Sequence, residues 1–126
     1  MTTPPPASPN GFQELGVTPA LIATLTKNGI TTPTPIQHQA IPTAILGKDL
    51  VGIAQTGTGK TLAFGLPMIQ RLASMPAARG LVVLPTRELA QQVSDSLRAA
   101  GFSMSLSNVI LIGGDSMGRQ IADLRR

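Results

Sequence analysis

The chain has 126 residues, a hydrophobic fraction of 42% and a net charge of +4, which allow one domain with an apolar core. Aromatic residues make up only 2%, cysteine is absent, and His38 is the one histidine, so disulfides and thiolate metal sites are excluded and a zinc site is disfavoured. No apolar run reaches the roughly 18 residues of a membrane span, and a pI near 10.8 favours an anionic partner such as nucleic acid. We therefore expect a cytoplasmic protein.

The first part of the chain predicts a tail and two helices. Residues 1–11 are rich in proline, serine and threonine, which predicts a disordered tail. Thr18 is a candidate N-cap before a helix that begins at Pro19 and ends at Asn28-Gly29. A second helix is predicted from about Ile36, and Pro42 should kink or split it.

Three continuous apolar runs follow at similar intervals and are predicted to be strands buried on both faces of a parallel sheet. Helical patterns separate and follow these runs. The order predicts an incomplete α/β fold of the P-loop NTPase type with three parallel strands, interpreted as part of a larger domain; a complete small domain is the alternative. The predicted strands are Leu50–Ala54, Leu81–Leu84 and Val109–Ile112, and the predicted helices are Lys60–Ser74, Glu88–Ala100 and Asp115–Arg126.

A glycine-rich loop lies between the first predicted strand and the next helix. Its glycines let backbone N–H groups approach an anion, and the helix N-terminus adds partial positive charge. Lys60 would place its charge on the β and γ phosphates, and Thr61 would offer a hydroxyl to Mg²⁺, which makes these two the candidate catalytic residues. We predict that the loop binds ATP or ADP through Ala54, Gln55, Thr56, Gly57, Thr58, Gly59, Lys60 and Thr61. Ala54 stands where the general motif has glycine.

Two upstream residues are candidates for recognition of the base. The amide of Gln37 has a donor and an acceptor that match the N6 and N7 atoms of adenine, whereas guanine presents two acceptors there. Phe12 lies next to the predicted tail, outside any predicted helix, and could stack on the base. The alternatives are that Gln37 is a solvated helix residue and that Phe12 packs against Leu21 or Leu25.

Four motifs in a fixed order resemble those of DEAD-box RNA helicases. Residues 29–37 resemble the Q motif, Phe12 sits where that family has an isolated upstream aromatic, and residues 54–61 resemble motif I with its alanine. Residues 85–90 resemble motif Ia, and Gly113-Gly114 resembles the GG doublet. The resemblance implies a RecA-like first helicase domain over residues 12–126, with its Q-motif region at 12–37.

The resemblance also implies roles for single residues. Gln37 would read adenine, Phe12 would stack on it, and Thr34 would tie the Q motif to the phosphate loop. The RNA backbone would be held without reading its sequence, by Pro85, Thr86, Arg87, Gly113 and Gly114.

Hydrolysis also requires a magnesium-binding acid at the end of a strand and groups that the family takes from Asp-Glu-Ala-Asp and a second domain. These are absent from the sequence. Asp115 is better placed to cap the last helix, and Glu88 and Asp95 are predicted to be solvated. The parent protein is predicted to couple ATP hydrolysis to local unwinding of RNA duplexes, with the remainder of the helicase core as its partner. This chain is predicted to bind adenine nucleotide without turnover.

Two other functions stay open at this point. A nucleotide kinase or a recombinase would share the phosphate loop but would not prefer ADP over GDP through Gln37. A non-enzymatic interaction module would use the exposed edge and apolar face of a small sheet.

Overall fold

The structure is a computed structural model that describes residues 11–55, 57, 59–101 and 104–126. These residues contain six helices in chain order. The helices are α1 (Gly11–Glu14), α2 (Pro19–Lys27), α3 (Pro35–Ile45), α4 (Lys60–Ser74), α5 (Arg87–Gly101) and α6 (Met117–Leu124).

Local sequence signals account for most of the helix ends. Helix α2 begins at Pro19 after an extended Thr18 and ends at Lys27 with Asn28 as its C-cap, and the following Gly29 has a φ of +77°, a conformation that glycine adopts without strain. Helix α4 has the predicted bounds. Pro42 lies inside α3, which continues through it to Ile45, so of the two effects expected of Pro42, a kink or a split, the split does not occur.

The core lies between the helices. Its centre is a cluster of side chains that are at most 6% exposed and that come from α1, α2, α3, α4, α5 and the loop after α1. Helix α4 packs against both α3 and α5, so the helix that follows the glycine-rich loop lies in the middle of this arrangement. The cluster comprises Phe12, Leu15, Val17, Leu21, Leu25, Ile41, Leu66, Ile69 and Ala100.

The predicted three-stranded sheet is not formed in the part of the chain that the structure describes. Residues 50–54, 81–84 and 109–112 are irregular in conformation, and none of them belongs to the core cluster. Burial on both faces was expected, yet Val51, Ile53, Leu81 and Val83 are 85–91% exposed. A strand is stabilised by hydrogen-bonded neighbours and by packing on its faces. Here the helices form the core without these segments, and their outer side chains stay uncovered.

Three smaller expectations also need correction or fall outside the described residues. Phe12 was expected outside any helix but lies in α1. The predicted tail, 1–11, lies outside the described residues except for Gly11, which begins α1. The last helix begins at Met117 with Ser116 as its N-cap, one residue after the expected cap, Asp115.

Each helix of the described residues is too short or too polar to cross a bilayer. The longest, α4 and α5, have 15 residues each.

Candidate functional site

The glycine-rich loop has the backbone conformation that its glycines predict. Gly57 has a φ of +85° and Gly59 a φ of +88°, a region that is strained for residues with a Cβ. Helix α4 begins directly after Gly59. Of the other predicted loop residues, Ala54 is half-buried and Gln55 is exposed, whereas Thr56 and Thr58 lie outside the described residues. The glycine conformations therefore turn the backbone sharply into the helix.

The N-terminus of α4 is open to an anion. Its N-cap is Gly59, and among the described residues no side-chain cap is formed at this helix start, which leaves backbone donors for a bound group. Lys60 is exposed at the first helical position, and Thr61 is half-buried at the second. Backbone donors, the charge of Lys60 and the hydroxyl of Thr61 thus lie at the same helix end.

Gln37 is joined to the loop through its side chain. It is only 2% exposed, its Oε1 accepts a hydrogen bond from the Thr34 N–H at 3.0 Å, and its Nε2 donates to the Gly59 carbonyl at 3.1 Å. Thr34 Oγ1 in turn accepts from the Gln37 N–H at 3.4 Å, which completes a capping box at the start of α3. The alternative of a solvated Gln37 is therefore wrong. The link between the Q-motif region and the loop is made by this amide.

Phe12 is buried in the hydrophobic core. Its ring is 0% exposed and belongs to the core cluster with Leu21 and Leu25. This is the packing alternative that the sequence left open. The structure brings Thr34, Gln37 and Gly59 together, but it offers no exposed face of Phe12 to a base.

The two motifs predicted to hold RNA converge at the start of α5. Thr86 Oγ1 accepts a hydrogen bond from the Leu89 N–H at 3.1 Å and thus caps this helix. The guanidinium of Arg87 lies over Gly114, because a Cβ on Gly114 would be 3.0 Å from its Nη2. Gly114 has a φ of +83°, and a Cβ on Gly113 would have no neighbour within 4 Å. Pro85 is also exposed, so an open surface surrounds Arg87 and the doublet.

The carboxylate of Asp115, which follows the glycine doublet, is bound by the N-cap residue of α6 and by an arginine of that helix. Asp115 accepts a hydrogen bond from the Ser116 N–H at 2.8 Å and pairs with Arg119 at 2.6 Å. The Ser116 N–H is the main cause of the lowered pKa of Asp115, and the charges of Arg119 and Arg87 lower it further. Asp115 therefore acts as an ionised partner for neighbouring arginines.

Acidic metal ligands are sparse around the loop. Within the described ranges, no group of three or more histidine, aspartate or glutamate side chains could hold a metal ion. Glu88, Asp95 and His38 are exposed.

The structure shows three amide side chains that the sequence did not identify. Gln70 in α4 accepts from the Thr18 N–H at 3.0 Å and donates to the Gly16 carbonyl at 2.9 Å. Asn108 bonds Ser94, and Gln120 bonds the backbone just before the doublet. Their partners are between 8 and 54 residues away, and no local pattern identifies such pairs. The capping box of Thr34 and Gln37 had a local signal, because threonine followed three residues later by glutamine is its signature.

Comparison with known proteins relates this arrangement to RNA helicases. The family model described as DEAD/DEAH box helicase matches residues 34–126. Over 116 residues the chain is 48% identical to the ATP-dependent rRNA helicase RRP3 of Debaryomyces hansenii, which covers 91% of this chain and 24% of that protein. It is 46% identical over 120 residues to the ATP-dependent rRNA helicase rrp3 of Schizosaccharomyces pombe, with coverage of 94% and 26%.

A solved structure shows the same relationship. The RNA helicase Prp28 from Chaetomium thermophilum, bound to ADP, aligns with a TM-score of 0.78 and 35% identity, covering 98% of this chain and 31% of that chain. The chain thus spans about a quarter of the length of the two curated relatives, at 24% and 26%.

Proposed function

This chain belongs to the DEAD/DEAH box helicase family, and on that premise we propose that it supplies the ATP-binding part and some of the RNA-binding surface of an ATP-dependent RNA helicase. The observation that carries the proposal is the hydrogen bond from Gln37 to Gly59, which joins a base-reading candidate to the phosphate loop. In the proposed fold, the three apolar segments become strands of a RecA-like sheet that the remainder of the helicase core completes, and the protein acts in the cytoplasm.

The phosphates of ATP or ADP would lie at the N-terminus of α4. The uncapped N–H groups after Gly59 would donate to phosphate oxygens, aided by the helix dipole, and Gly57 gives room for a close approach because nothing lies within 4 Å of its Cβ position. Lys60 would add a point charge on the β and γ phosphates. Ala54, Gln55, Thr56 and Thr58 would complete the loop.

Mg²⁺ fits this site through Thr61 rather than through an acidic cluster. Because Mg²⁺ commonly binds few protein ligands and takes the rest from phosphates and water, one hydroxyl at the second position of α4 is a sufficient protein contact in this chain. When bound, the ion would neutralise phosphate charge. Thr61 would hold it on the side of the helix start.

Adenine recognition would come from Gln37. Its Nε2 has a second hydrogen beyond the one donated to Gly59, and its Oε1 has a second lone pair beyond the Thr34 contact. A base that engages this amide would therefore act on the backbone of Gly59. Phe12 would have to leave the core to stack on the base, so we assign Phe12 a packing role beneath the Q-motif region.

RNA would lie across the start of α5. Arg87 would pair with a phosphate, Thr86 and Pro85 would contact the sugar-phosphate backbone, and the open Gly113-Gly114 would admit it closely. Contacts of this kind position a strand without reading its bases. Unwinding of duplex RNA by the whole protein follows from closure of the complete core around ATP and RNA.

This chain would bind nucleotide without hydrolysing it. Its Asp115 is paired with Arg119, and Glu88 is exposed on α5, so neither is placed to orient water at the phosphate loop. Turnover would depend on the remainder of the helicase core.

Calorimetry with ADP and GDP tests the nucleotide part of the proposal. We expect ADP to bind more tightly than GDP, Lys60→Ala to abolish both, and Gln37→Ala to remove the preference. Gln39→Ala is the matched control, because Gln39 is an exposed glutamine on the same helix. Equal binding of ADP and GDP by the unaltered chain would favour a nucleotide kinase or a recombinase. In a separate assay with ATP, release of phosphate by the unaltered chain that is lost in Lys60→Ala would refute the proposal that this chain does not hydrolyse nucleotide.

A second candidate, an interaction module, is favoured by the uncovered apolar side chains. Val51, Ile53, Leu81 and Val83 are at least 85% exposed, and exposed apolar side chains that lie together mark contact surfaces. On this hypothesis they dock on the remainder of the helicase core. Sedimentation of the chain should show self-association that a Val51→Lys, Val83→Lys double variant reduces, and a monomer at all concentrations would count against this role.

A further inference from the structure

Gln120 in α6 bonds both backbone groups of one residue. Its Oε1 accepts from the Ile112 N–H at 3.1 Å, and its Nε2 donates to the Ile112 carbonyl at 3.1 Å. The amide thus provides hydrogen bonds to both the N–H and the carbonyl of Ile112, as a neighbouring strand would. Ile112 directly precedes Gly113-Gly114. These two bonds fix the peptide that leads into the doublet.

The residues after the doublet are held as well. Asp115 accepts from the Ser116 N–H, and Ser116 Oγ accepts from the Arg119 N–H at 3.2 Å. Between these contacts and those of Gln120, the doublet itself is open, with Gly113 free of neighbours within 4 Å of its Cβ position. A short open turn is therefore anchored on both sides.

Helix α6 contributes no buried residue. Met117, Ile121 and Leu124 are 40–75% exposed, so apolar packing does little to place this helix. Within the described part of the chain, the hydrogen bonds that connect α6 to residues before the doublet are the two made by Gln120. The position of Ile112, the residue that leads into the doublet, relative to α6 thus depends on the side chain of Gln120.

We propose that Gln120 is a positioning residue for RNA binding. It holds Ile112 so that the doublet presents its backbone beside Arg87 before RNA arrives, and it does not touch RNA itself. This inference rests on the proposed contact between RNA and the doublet. Without Gln120, RNA binding must order about one more residue, which corresponds to roughly tenfold weaker affinity.

The test uses the 126-residue chain and the variant Gln120→Met, which keeps side-chain length and helix propensity but removes both hydrogen bonds. Gln70→Met is the matched control, because Gln70 also bonds a backbone N–H and a backbone carbonyl, at Thr18 and Gly16. Affinity for a short single-stranded oligouridylate is measured by fluorescence anisotropy, ADP affinity by calorimetry, and exchange of the Ile112 amide by NMR.

We expect Gln120→Met to bind the oligonucleotide roughly tenfold more weakly, with unchanged ADP affinity and faster exchange of the Ile112 amide. Gln70→Met should leave oligonucleotide affinity unchanged. Equal weakening by both variants, or unchanged affinity in Gln120→Met, would overturn the positioning role while RNA binding stands. Failure of the unaltered chain to bind the oligonucleotide would overturn the proposed RNA contact, and the role of Gln120 with it.

Discussion

Replacing Gly59 by alanine tests the link between the phosphate loop and the Q-motif region, and Gly57→Ala is its matched control. Both glycines have a φ between +85° and +88°, so both substitutions carry the left-handed strain of about 1–2 kcal/mol, partly offset by a stiffer unfolded chain. The two glycines differ in the atoms that an added Cβ would meet. A Cβ on Gly57 meets nothing within 4 Å, whereas a Cβ on Gly59 would overlap with Nε2 of Gln37 and lie 2.9 Å from Thr34 Oγ1.

The magnitude of the difference follows from the Gln37 amide. The new methyl group must displace Nε2 from the Gly59 carbonyl, and a buried amide group that loses its partner costs about 1–3 kcal/mol. We therefore expect Gly57→Ala to lower the free energy of unfolding by about 1 kcal/mol and Gly59→Ala by about 3 kcal/mol. Urea denaturation followed by circular dichroism measures both.

A double-mutant cycle isolates the coupling. In a Gln37→Ala background the amide is absent, so the excess cost of Gly59→Ala over Gly57→Ala should fall from about 2 kcal/mol to below about 1 kcal/mol. An excess that is unchanged by Gln37→Ala would refute the role of this amide. Equal destabilisation by the two glycine variants in the unaltered background would refute the steric reasoning itself.

Three further predictions concern residues from the start of α5 to the start of α6. Thr86→Ala removes the side-chain cap of α5 and should lower the free energy of unfolding by about 1 kcal/mol in urea titrations. Thr86→Ser keeps a capping hydroxyl and should retain most of the stability that the cap contributes. Asn108→Ala removes hydrogen bonds to buried Ser94 and should cost about 2–3 kcal/mol by the same measurement; a loss below that of Thr86→Ala would contradict the contacts. The pKa of Asp115 is lowered from 3.8, mainly by the Ser116 N–H, so its contribution to stability should be present above about pH 4 and lost as pH falls through the folded pKa. An NMR titration of the carboxyl carbon should show the lowered midpoint, and a midpoint above 3.8 would contradict it.

The helices could be predicted because their ends depend on neighbours in sequence. Pro19 after Thr18 marks the start of α2, and the glycine before Lys60 marks the start of α4. The sheet depends instead on partners distant in the chain. Continuous apolar runs such as residues 81–84 do not distinguish a strand from another buried segment, and in this structure Val83 is 85% exposed. Sequence reasoning therefore found the helical frame, whereas the strands that it predicted between the helices are not formed in the described residues.

The residues of the candidate site also fall into a group that sequence predicts and a group that it does not. Positions at a helix start were predictable: Gly59 precedes α4, Lys60 begins it, and Thr86 caps α5. Residues whose role comes from a contact across the fold were not: Gln120 has no sequence pattern that connects it to Ile112. The burial of Phe12 could not be decided either, because an isolated aromatic beside aliphatic helices can serve a core or a ligand equally well.

Glutamine amides fix the backbone at both ends of the candidate site. Gln37 bonds the glycine that begins the phosphate-loop helix, and Gln120 bonds the residue before the glycine doublet. Glycine-rich loops gain little from side-chain packing, and a chain with 2% aromatic residues has few large side chains to pack against them. A neutral amide supplies one donor and one acceptor with fixed geometry and does not titrate. The backbone of an open glycine-rich segment can thus be held by direct hydrogen bonds to an amide, without a side chain that covers its exposed surface.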